Sequence, residues 1–146
     1  MKVVADTGPL LAAAYRDDPA HVLARALVTA LGRNLLVLSS VIVEVDQLLR
    51  SRLGARAARG FLSALAAGEH TAAFLSPRLL GRAAEIDARF ADLDLGFVDA
   101  SVMAYAERHD LPILTFDFED FRAATPQRGY WRLVVDERRY HDEATS

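Results

Sequence analysis

Short apolar runs alternate with segments of helical periodicity along most of this chain, and that alternation restricts the fold more than any other feature. Runs rich in valine and leucine predict buried strands, and the segments between them repeat their apolar positions every three or four residues, as amphipathic helices do. The predicted strands are residues 2–5, 34–38, 70–75, 111–114 and 131–135. Parallel strands need crossover connections and become buried on both faces. We therefore predict an α/β fold, with three α/β/α layers around an open, mostly parallel sheet of about five strands.

The length and composition are consistent with one domain. The chain has 146 residues, of which 52% are hydrophobic, and a chain of this size can bury one core without covalent staples. We expect a single domain over residues 1–135, followed by a charged, frayed tail over residues 136–146. Cysteine is absent from the sequence, which excludes disulfides, cysteine zinc sites, iron–sulfur clusters and thiol nucleophiles.

Targeting signals and membrane spans are not predicted for this sequence. Asp6 interrupts the first apolar run where a secretory signal would need to continue. No apolar stretch reaches the length of a transmembrane helix. We therefore expect an intracellular, cytoplasmic protein with no membrane partner.

Four acidic residues fall where predicted strands end or where the following helices begin. Asp6 closes the first strand, and Asp117 follows the fourth. Asp99 lies at the start of the helix that leads into the fourth strand, and Glu44 lies about one turn into the helix after the second. In open α/β sheets, ligands bind beyond the carboxyl ends of the strands. The four carboxylates are therefore candidates for one shared site.

Three of these acids also have structural interpretations. Asp6 precedes Thr-Gly-Pro and could be a turn or helix-capping residue, and Asp99 could likewise cap its helix. Asp117 stands in a run of alternating aromatic and acidic residues, in which the aromatic side chains could be core and the acids their solvated faces. Glu119 and Asp120 in the same run are further candidates for the site. Local sequence leaves both interpretations open at these positions.

Glu44 is the most informative of the acids because no neighbour along its helix can neutralise it. It shares a helix face with Val41 and Leu48, and no arginine follows at the third or fourth position. Burial of an unpaired carboxylate is costly. A partner from elsewhere in the fold or from solution is therefore expected.

A divalent cation is the partner that suits all four carboxylates together. Clustered carboxylates repel one another and take up protons unless a cation neutralises them. Sites made only of oxygen ligands favour Mg²⁺ or Mn²⁺ over zinc or copper. Such an ion can polarise a phosphoryl oxygen and activate water. The sequence thus predicts a magnesium or manganese site suited to phosphodiester hydrolysis.

Several segments of the chain together match the order and spacing of motifs in a known family. They are residues 3–11, Glu44 in its helix, residues 92–101 with 106–108, and residues 114–117. These segments resemble the motifs of the PIN-domain family, and most closely those of the VapC toxins of bacterial toxin–antitoxin pairs. The resemblance extends over nearly the whole chain, and its most specific part lies within residues 92–108. The resemblance implies a PIN fold whose acidic residues bind one or two Mg²⁺ or Mn²⁺ ions, supported by a hydrogen bond from Thr115. These acids are Asp6, Glu44, Asp99 and Asp117.

The resemblance also implies an activity and partners. VapC toxins are metal-dependent endoribonucleases that cut transfer or ribosomal RNA, usually form homodimers, and are inhibited by a VapB antitoxin whose C-terminal segment covers the acidic pocket. The same properties are expected here, including a cognate antitoxin of the VapB type. Because the fourth acid varies in position across the family, Glu119 or Asp120 could share or replace the role of Asp117.

A group of arginines after the Glu44 helix offers candidate contacts to RNA. Arg50, Arg52, Arg56 and Arg59 stand close together in the sequence, and guanidinium groups pair well with phosphate. The net charge of −3 argues against a general nucleic-acid binder. Solvated helix faces would also explain these arginines.

The same acids leave open a function of a different class. In a non-catalytic PIN-type interaction protein, the acidic pocket would only receive an arginine from a partner. The complete set of four acids favours the enzyme, because a pocket released from chemistry is expected to lose one or more of them.

Overall fold

The strands of the sheet do not follow one another in sequence order. The computed structural model describes residues 1–144, and within them the sheet has the order β3-β2-β1-β4, with every neighbouring pair parallel. The strands are β1 (Val3–Ala5), β2 (Leu35–Leu38), β3 (Thr71–Ala73) and β4 (Ile113–Leu114). The predicted α/β fold with an open parallel sheet is confirmed.

Helices occupy most of the chain between the strands and flank the sheet. In the described residues they are α1 (Thr7–Ala14), α2 (His21–Leu31), α3 (Ser39–Arg52), α4 (Ala55–Ala66), α5 (Pro77–Arg89), α6 (Gly96–His109), α7 (Phe118–Ala123) and α8 (Glu137–Ala144). They pack as neighbours, α1 on α2, α3 on α4 and α5 on α6, and α3 also contacts α6. Within residues 1–144, none of these helices has the length and apolarity that a bilayer crossing requires.

The core is centred on the two inner strands. Every residue of β1 and β2 is buried, with Val3 opposite Leu35 and Val4 opposite Leu36. Val4 also pairs with Ile113 on the other side of β1. Strands covered on both faces are apolar at consecutive positions rather than alternate ones. That is why the sequence predicted these two strands well.

Side-chain caps determine where several helices begin. Ser76 accepts a hydrogen bond from the N–H of Leu79 and precedes Pro77, the first residue of α5, and this combination favours a helix start. Asp6 accepts a hydrogen bond from the N–H of Thr7 at the start of α1. Asp6 is therefore a helix cap, as one of its two interpretations proposed.

The other two acids with structural interpretations differ from each other. Helix α6 begins at Gly96, so Asp99 lies inside its first turn and does not cap it, and the capping interpretation of Asp99 is wrong. Asp117 caps the short helix α7 by accepting a hydrogen bond from the N–H of Asp120. Helix α7 was not predicted, because its six residues are too few to display a helical period.

The predicted fifth strand is reduced to a single bridge beyond β4. Leu133 pairs in parallel with Ile113, whose N–H donates to Arg132 O at 2.8 Å and whose carbonyl accepts from the N–H of Val134 at 3.0 Å. Because β4 has only two residues, residues 131–135 cannot pair with it over a longer stretch. The sheet therefore has four strands and one added bridge.

The end of the described chain is a packed helix, which corrects the expectation of a frayed tail. In α8, the ring of Tyr140 lies 4.7 Å from that of Phe116 and 5.5 Å from that of Phe118, between centroids. Ala144 is buried in a cluster with Ala24 of α2. The apolar face of α8 thus docks although most of its residues are charged. Residues 145 and 146 of the predicted tail lie outside the described part.

We predict that Tyr140→Ala lowers the free energy of unfolding by about 2 kcal/mol, because a half-buried ring with two aromatic neighbours is lost. Tyr130→Ala is the matched control, since the Tyr130 side chain is 83% exposed and its removal should change stability by less than about 0.5 kcal/mol. Urea unfolding followed by circular dichroism measures both. Equal effects of the two variants would contradict the docking of α8.

Candidate active site

The strand order creates a crevice between β1 and β4. From β1 the chain proceeds outward through β2 and β3 and then returns to the opposite side of β1 to form β4. Parallel α/β sheets bind ligands at such a reversal, beyond the carboxyl ends of the strands. An open pocket of about 500 Å³ lies there. Its lining consists of Asp6, Thr7, Gly8, Leu11, Glu44, Asp99, Phe116 and Asp117.

All four predicted acids line this one pocket although they come from four separate parts of the chain. Asp6 follows β1, Asp117 lies beyond the end of β4, Glu44 is on α3 and Asp99 is on α6. The structure therefore brings the four acids together at one pocket, as their positions at strand ends and helix starts predicted.

Two hydrogen bonds fix the carboxylate of Asp6. Its Oδ1 accepts from the N–H of Thr7 at 2.9 Å, and its Oδ2 accepts from Thr115 Oγ1 at 2.7 Å. The backbone N–H of Asp6 donates to Leu114 O at 2.8 Å. Asp6 is only 5% exposed. These bonds therefore hold a buried carboxylate in one orientation.

Thr115 connects the ends of two strands. It is fully buried directly after β4, donates to Asp6, and accepts a hydrogen bond from the N–H of Asp117 at 3.0 Å. Asp117 Oδ1 in turn accepts from the N–H of Asp120 at 3.1 Å. The hydrogen-bond chain therefore sets the positions of Asp6 and Asp117 relative to each other.

A pair of serines links the helices that carry the other two acids. Ser40 Oγ and Ser101 Oγ are 2.7 Å apart, and Ser101 Oγ donates to Val98 O at 2.7 Å. Ser40 lies one helical turn before Glu44 on α3, and Ser101 lies two residues after Asp99 on α6. This contact fixes α3 against α6 near the pocket. One signal of this contact is visible in the sequence, namely Ser101 within the apolar stretch of α6. No contact was predicted from it.

Burial and mutual repulsion raise the pKa values of the clustered acids. Burial raises the pKa of Asp6 to about 6, with smaller increases from Asp117 and Glu44, although the hydrogen bonds from Thr115 and Thr7 lower it. The ionised form of a buried carboxyl is disfavoured by desolvation and by nearby negative charge.

Asp99 shows the larger effect. Its pKa is raised to about 8, first by burial and then by the charges of neighbouring acids, which are, in order of size, Asp6, Asp117, Asp120 and Glu44. Without a cation, this carboxyl therefore retains a proton near neutral pH.

Asp120 is a fifth acid at this site. Its pKa is also raised, first by burial and then by Asp117. One carboxylate oxygen from each of Asp99, Asp117 and Asp120 lies within 4.8 Å of the other two. Glu119 is exposed and does not line the pocket. Of the two alternatives that the sequence left open beside Asp117, the geometry therefore favours Asp120.

The chemistry of this donor set fits a small divalent cation. The charged groups of the pocket are carboxylates, with no cysteine in the chain and no histidine in the described lining. Oxygen donors of this kind suit Mg²⁺ and Mn²⁺. A bound cation would also offset the repulsion that raises the pKa values of Asp6 and Asp99.

The arginines predicted to contact RNA lie outside the pocket. Arg50 forms an ion pair with Asp46, at 2.8 Å between Nη2 and Oδ1. Arg52 lines a smaller neighbouring pocket, which shares Leu11 with the acidic one. Arg56 is exposed on α4. Among the described residues, no arginine belongs to the lining of the acidic pocket itself.

Comparisons with known proteins agree with the fold and the pocket. Residues 3–125 match the PIN domain family. Ribonuclease VapC26 of Mycobacterium tuberculosis is 30% identical over 128 residues, which cover 87% of this chain and 95% of that protein. The crystal structure of M. tuberculosis VapC20, a sarcin-ricin loop cleaving toxin, has the same fold with a TM-score of 0.76 at 22% identity, over 87% of this chain and 98% of that one. This chain therefore belongs to the PIN-domain family and, within it, to the VapC proteins.

We predict that the metal-free protein loses stability as the pH rises from about 4 to about 8. A carboxyl whose pKa is higher in the folded chain than in the unfolded chain binds its proton more tightly when folded, so ionisation opposes folding. For Asp99 this penalty is absent below its ordinary pKa of 3.8 and complete above its folded pKa of about 8. For Asp6 it is complete above a folded pKa of about 6.

Thermal melts in chelator at several pH values measure this effect. Asp99→Asn should melt a few degrees above the unmodified protein at about pH 8, and the difference should shrink towards about pH 5. Asp87→Asn makes the same chemical change at an exposed position of α5 and should show no such pH-dependent difference. Identical pH profiles for the Asp99 variant and the unmodified protein would contradict the raised pKa.

Proposed function

We propose that this protein is a metal-dependent endoribonuclease, the toxin of a type II toxin–antitoxin pair, which hydrolyses phosphodiester bonds in ribosomal or transfer RNA. The observation that carries the proposal is the convergence of four carboxylates from separate elements in one open pocket at the reversal of the strand order. Support also comes from the relatives, one named a ribonuclease and the other a sarcin-ricin loop cleaving toxin.

The residues that would hold Mg²⁺ or Mn²⁺ are those that line the pocket with carboxylate oxygens. These are Asp6, Glu44, Asp99 and Asp117, with Asp120 as an additional candidate. A bound ion supplies polarisation of the phosphoryl oxygen and activation of the attacking water. Because metal ligands act in their deprotonated form, Asp99 must release its proton for the site to be complete. Activity should therefore rise from acidic towards neutral pH.

Thr115 is a positioning residue in this proposal. Its hydroxyl donates to Asp6 and accepts from the backbone of Asp117, so it orients one acid directly and the other through its loop. A fixed orientation lowers the cost of bringing the ligands together when the ion binds.

The arginines in the last turn of α3 and at the start of α4 would guide RNA to the pocket. Arg52 is the best placed, because the pocket that it lines adjoins the acidic one at Leu11. Arg50 contributes less because Asp46 offsets its charge. Arg56 is exposed and would add long-range attraction, which weakens as salt is added.

The protein would act in the cytoplasm as a homodimer, with a VapB-type antitoxin as its inhibitor. The pocket is open and its ionisable lining residues are four carboxylic acids, so a basic side chain of the antitoxin has a place to bind. This same feature also supports the second candidate function, in which the pocket only receives a partner's arginine and catalyses nothing. Nuclease assays on the isolated chain distinguish the two.

We predict that Asp99→Asn lowers RNA cleavage by roughly 100-fold or more while the fold is retained. Loss of a metal ligand should exceed the 10–100-fold effect that is typical for residues that only support ligands. The assay is incubation of the partner-free protein with total bacterial RNA in Mg²⁺ or Mn²⁺, followed by sequencing of new RNA ends. Asp87→Asn serves as the control for an aspartate on the surface.

Discrete RNA ends that require metal and Asp99 would establish the endoribonuclease. Absence of cleavage, in a sample whose melting temperature rises with Mn²⁺, would instead favour the non-catalytic interaction protein. A melting temperature that does not respond to saturating metal would contradict the metal site itself.

We predict that Thr115→Val reduces cleavage by about 10- to 100-fold and weakens Mn²⁺ binding, because the Asp6 carboxylate loses one of its two hydrogen-bond donors. Thr115→Ser retains a hydroxyl and should recover most of both properties. Calorimetric titration with Mn²⁺ gives the affinity independently of activity. Thr29→Val, at an exposed position of α2, is the matched control, and equal behaviour of the two valine variants would exclude a positioning role for Thr115.

A further inference from the structure

We propose that the start of α1 binds a phosphate group of the RNA strand, through the hydroxyl of Thr7 and the backbone N–H of Gly8. Both residues line the acidic pocket beside Asp6. The proposal rests on the proposed ribonuclease function and adds a contact for the substrate that the acids themselves cannot make, since carboxylates repel phosphate.

The backbone at the start of α1 has one donor left for a ligand. The first N–H groups of a helix have no partner within it. Here the N–H of Asp6 donates to Leu114 O, and that of Thr7 donates to the Asp6 carboxylate. Pro9 has no N–H. In the first turn, the N–H of Gly8 therefore remains, at an exposed residue beside which a Cβ would meet open space.

Thr7 provides the second and independent observation. It is 6% exposed, and its Oγ1 is the one buried side-chain oxygen or nitrogen within residues 1–144 that lacks a hydrogen-bond partner. Buried hydroxyls are nearly always hydrogen-bonded, and an exception calls for a missing partner. Because Thr7 is a lining residue of the pocket, a ligand bound there would supply that partner.

The position on α1 selects an anion rather than a second cation. The N-terminus of a helix carries partial positive charge, which favours phosphate and disfavours metal ions. The carboxylates on α3, α6 and the loop after β4 face the same pocket and suit the metal. The pocket thus has one wall that suits a phosphate and another that suits a metal ion. An RNA phosphate can lie between the two walls only when the metal ion neutralises the acids.

The test compares Thr7→Val with Thr7→Ser and with the control Thr29→Val. Fluorescence anisotropy with a short RNA in Ca²⁺ measures binding, and a gel checks that the RNA stays uncut. We expect the Kd of Thr7→Val to rise about tenfold, as for the loss of one hydrogen bond to a charged group. Thr7→Ser should bind like the unmodified protein. In steady-state cleavage, Thr7→Val should raise KM rather than lower kcat.

Two further readouts separate this role from others. The melting temperature of free Thr7→Val should stay equal or rise, because replacing an unpartnered buried hydroxyl with an apolar group of the same shape removes a cost. Its calorimetric Kd for Mn²⁺ should remain within about twofold of the unmodified protein.

Each contrary outcome overturns the proposal in a recognisable way. A lower melting temperature would show that Thr7 has a structural partner, and weaker Mn²⁺ binding would show that it acts on the metal. If Thr7→Val binds RNA as tightly as the unmodified protein and the protein still cuts RNA, the phosphate contact is contradicted while the proposed ribonuclease function stands. If the unmodified protein neither binds nor cuts RNA, the proposed function fails and this contact fails with it.

Discussion

The hydrogen bond from Thr115 to Asp6 is the interaction on which the site depends. It joins residues 109 positions apart in the sequence, at the ends of two strands that become neighbours only because β4 returns to the free side of β1. It also meets a need of Asp6, whose carboxylate is almost fully buried and would be costly without donors. The same contact therefore serves the sheet and the pocket.

Around that contact the fold concentrates negative charge, and this opposes its own stability. The raised pKa values of Asp6 and Asp99 reflect this opposition, since both result from burial together with repulsion by neighbouring acids. The apolar strands β1 and β2, buried along their whole length, supply the stability that offsets it. Functional sites commonly carry strain that the rest of the structure compensates.

The pocket also has two chemically different walls. Carboxylates form one, and the start of α1 forms the other, with a backbone donor and the unpartnered hydroxyl of Thr7. A metal ion and a phosphate need opposite surroundings, so a site that brings them together must present both. Asp6 lies at the boundary, because one of its oxygens caps α1 and the other accepts from Thr115.

Much of the fold was predictable because burial on both faces leaves a direct trace in consecutive apolar residues. The acids were predictable from chemistry: Glu44 has no local cation, and Asp6 and Asp117 follow strands. Elements that depend on distant contacts were missed or mistaken. Helix α8 docks through contacts of Tyr140 with Phe116 and Phe118, which are distant in the sequence. Residues 131–135 form only one bridge, to the short strand β4.

The sequence by itself determined the buried inner strands, the longer amphipathic helices and which carboxylates lack a neutralising neighbour, because these follow from local hydrophobic spacing and charge. The tertiary structure decided what these residues do to one another. Strand order made neighbours of Asp6 and Thr115, and the packing of α3 on α6 brought Glu44 and Asp99 to the same pocket. Burial left the hydroxyl of Thr7 without a hydrogen-bond partner. Hydrogen bonding, desolvation and repulsion depend on distance in space, which local sequence does not encode.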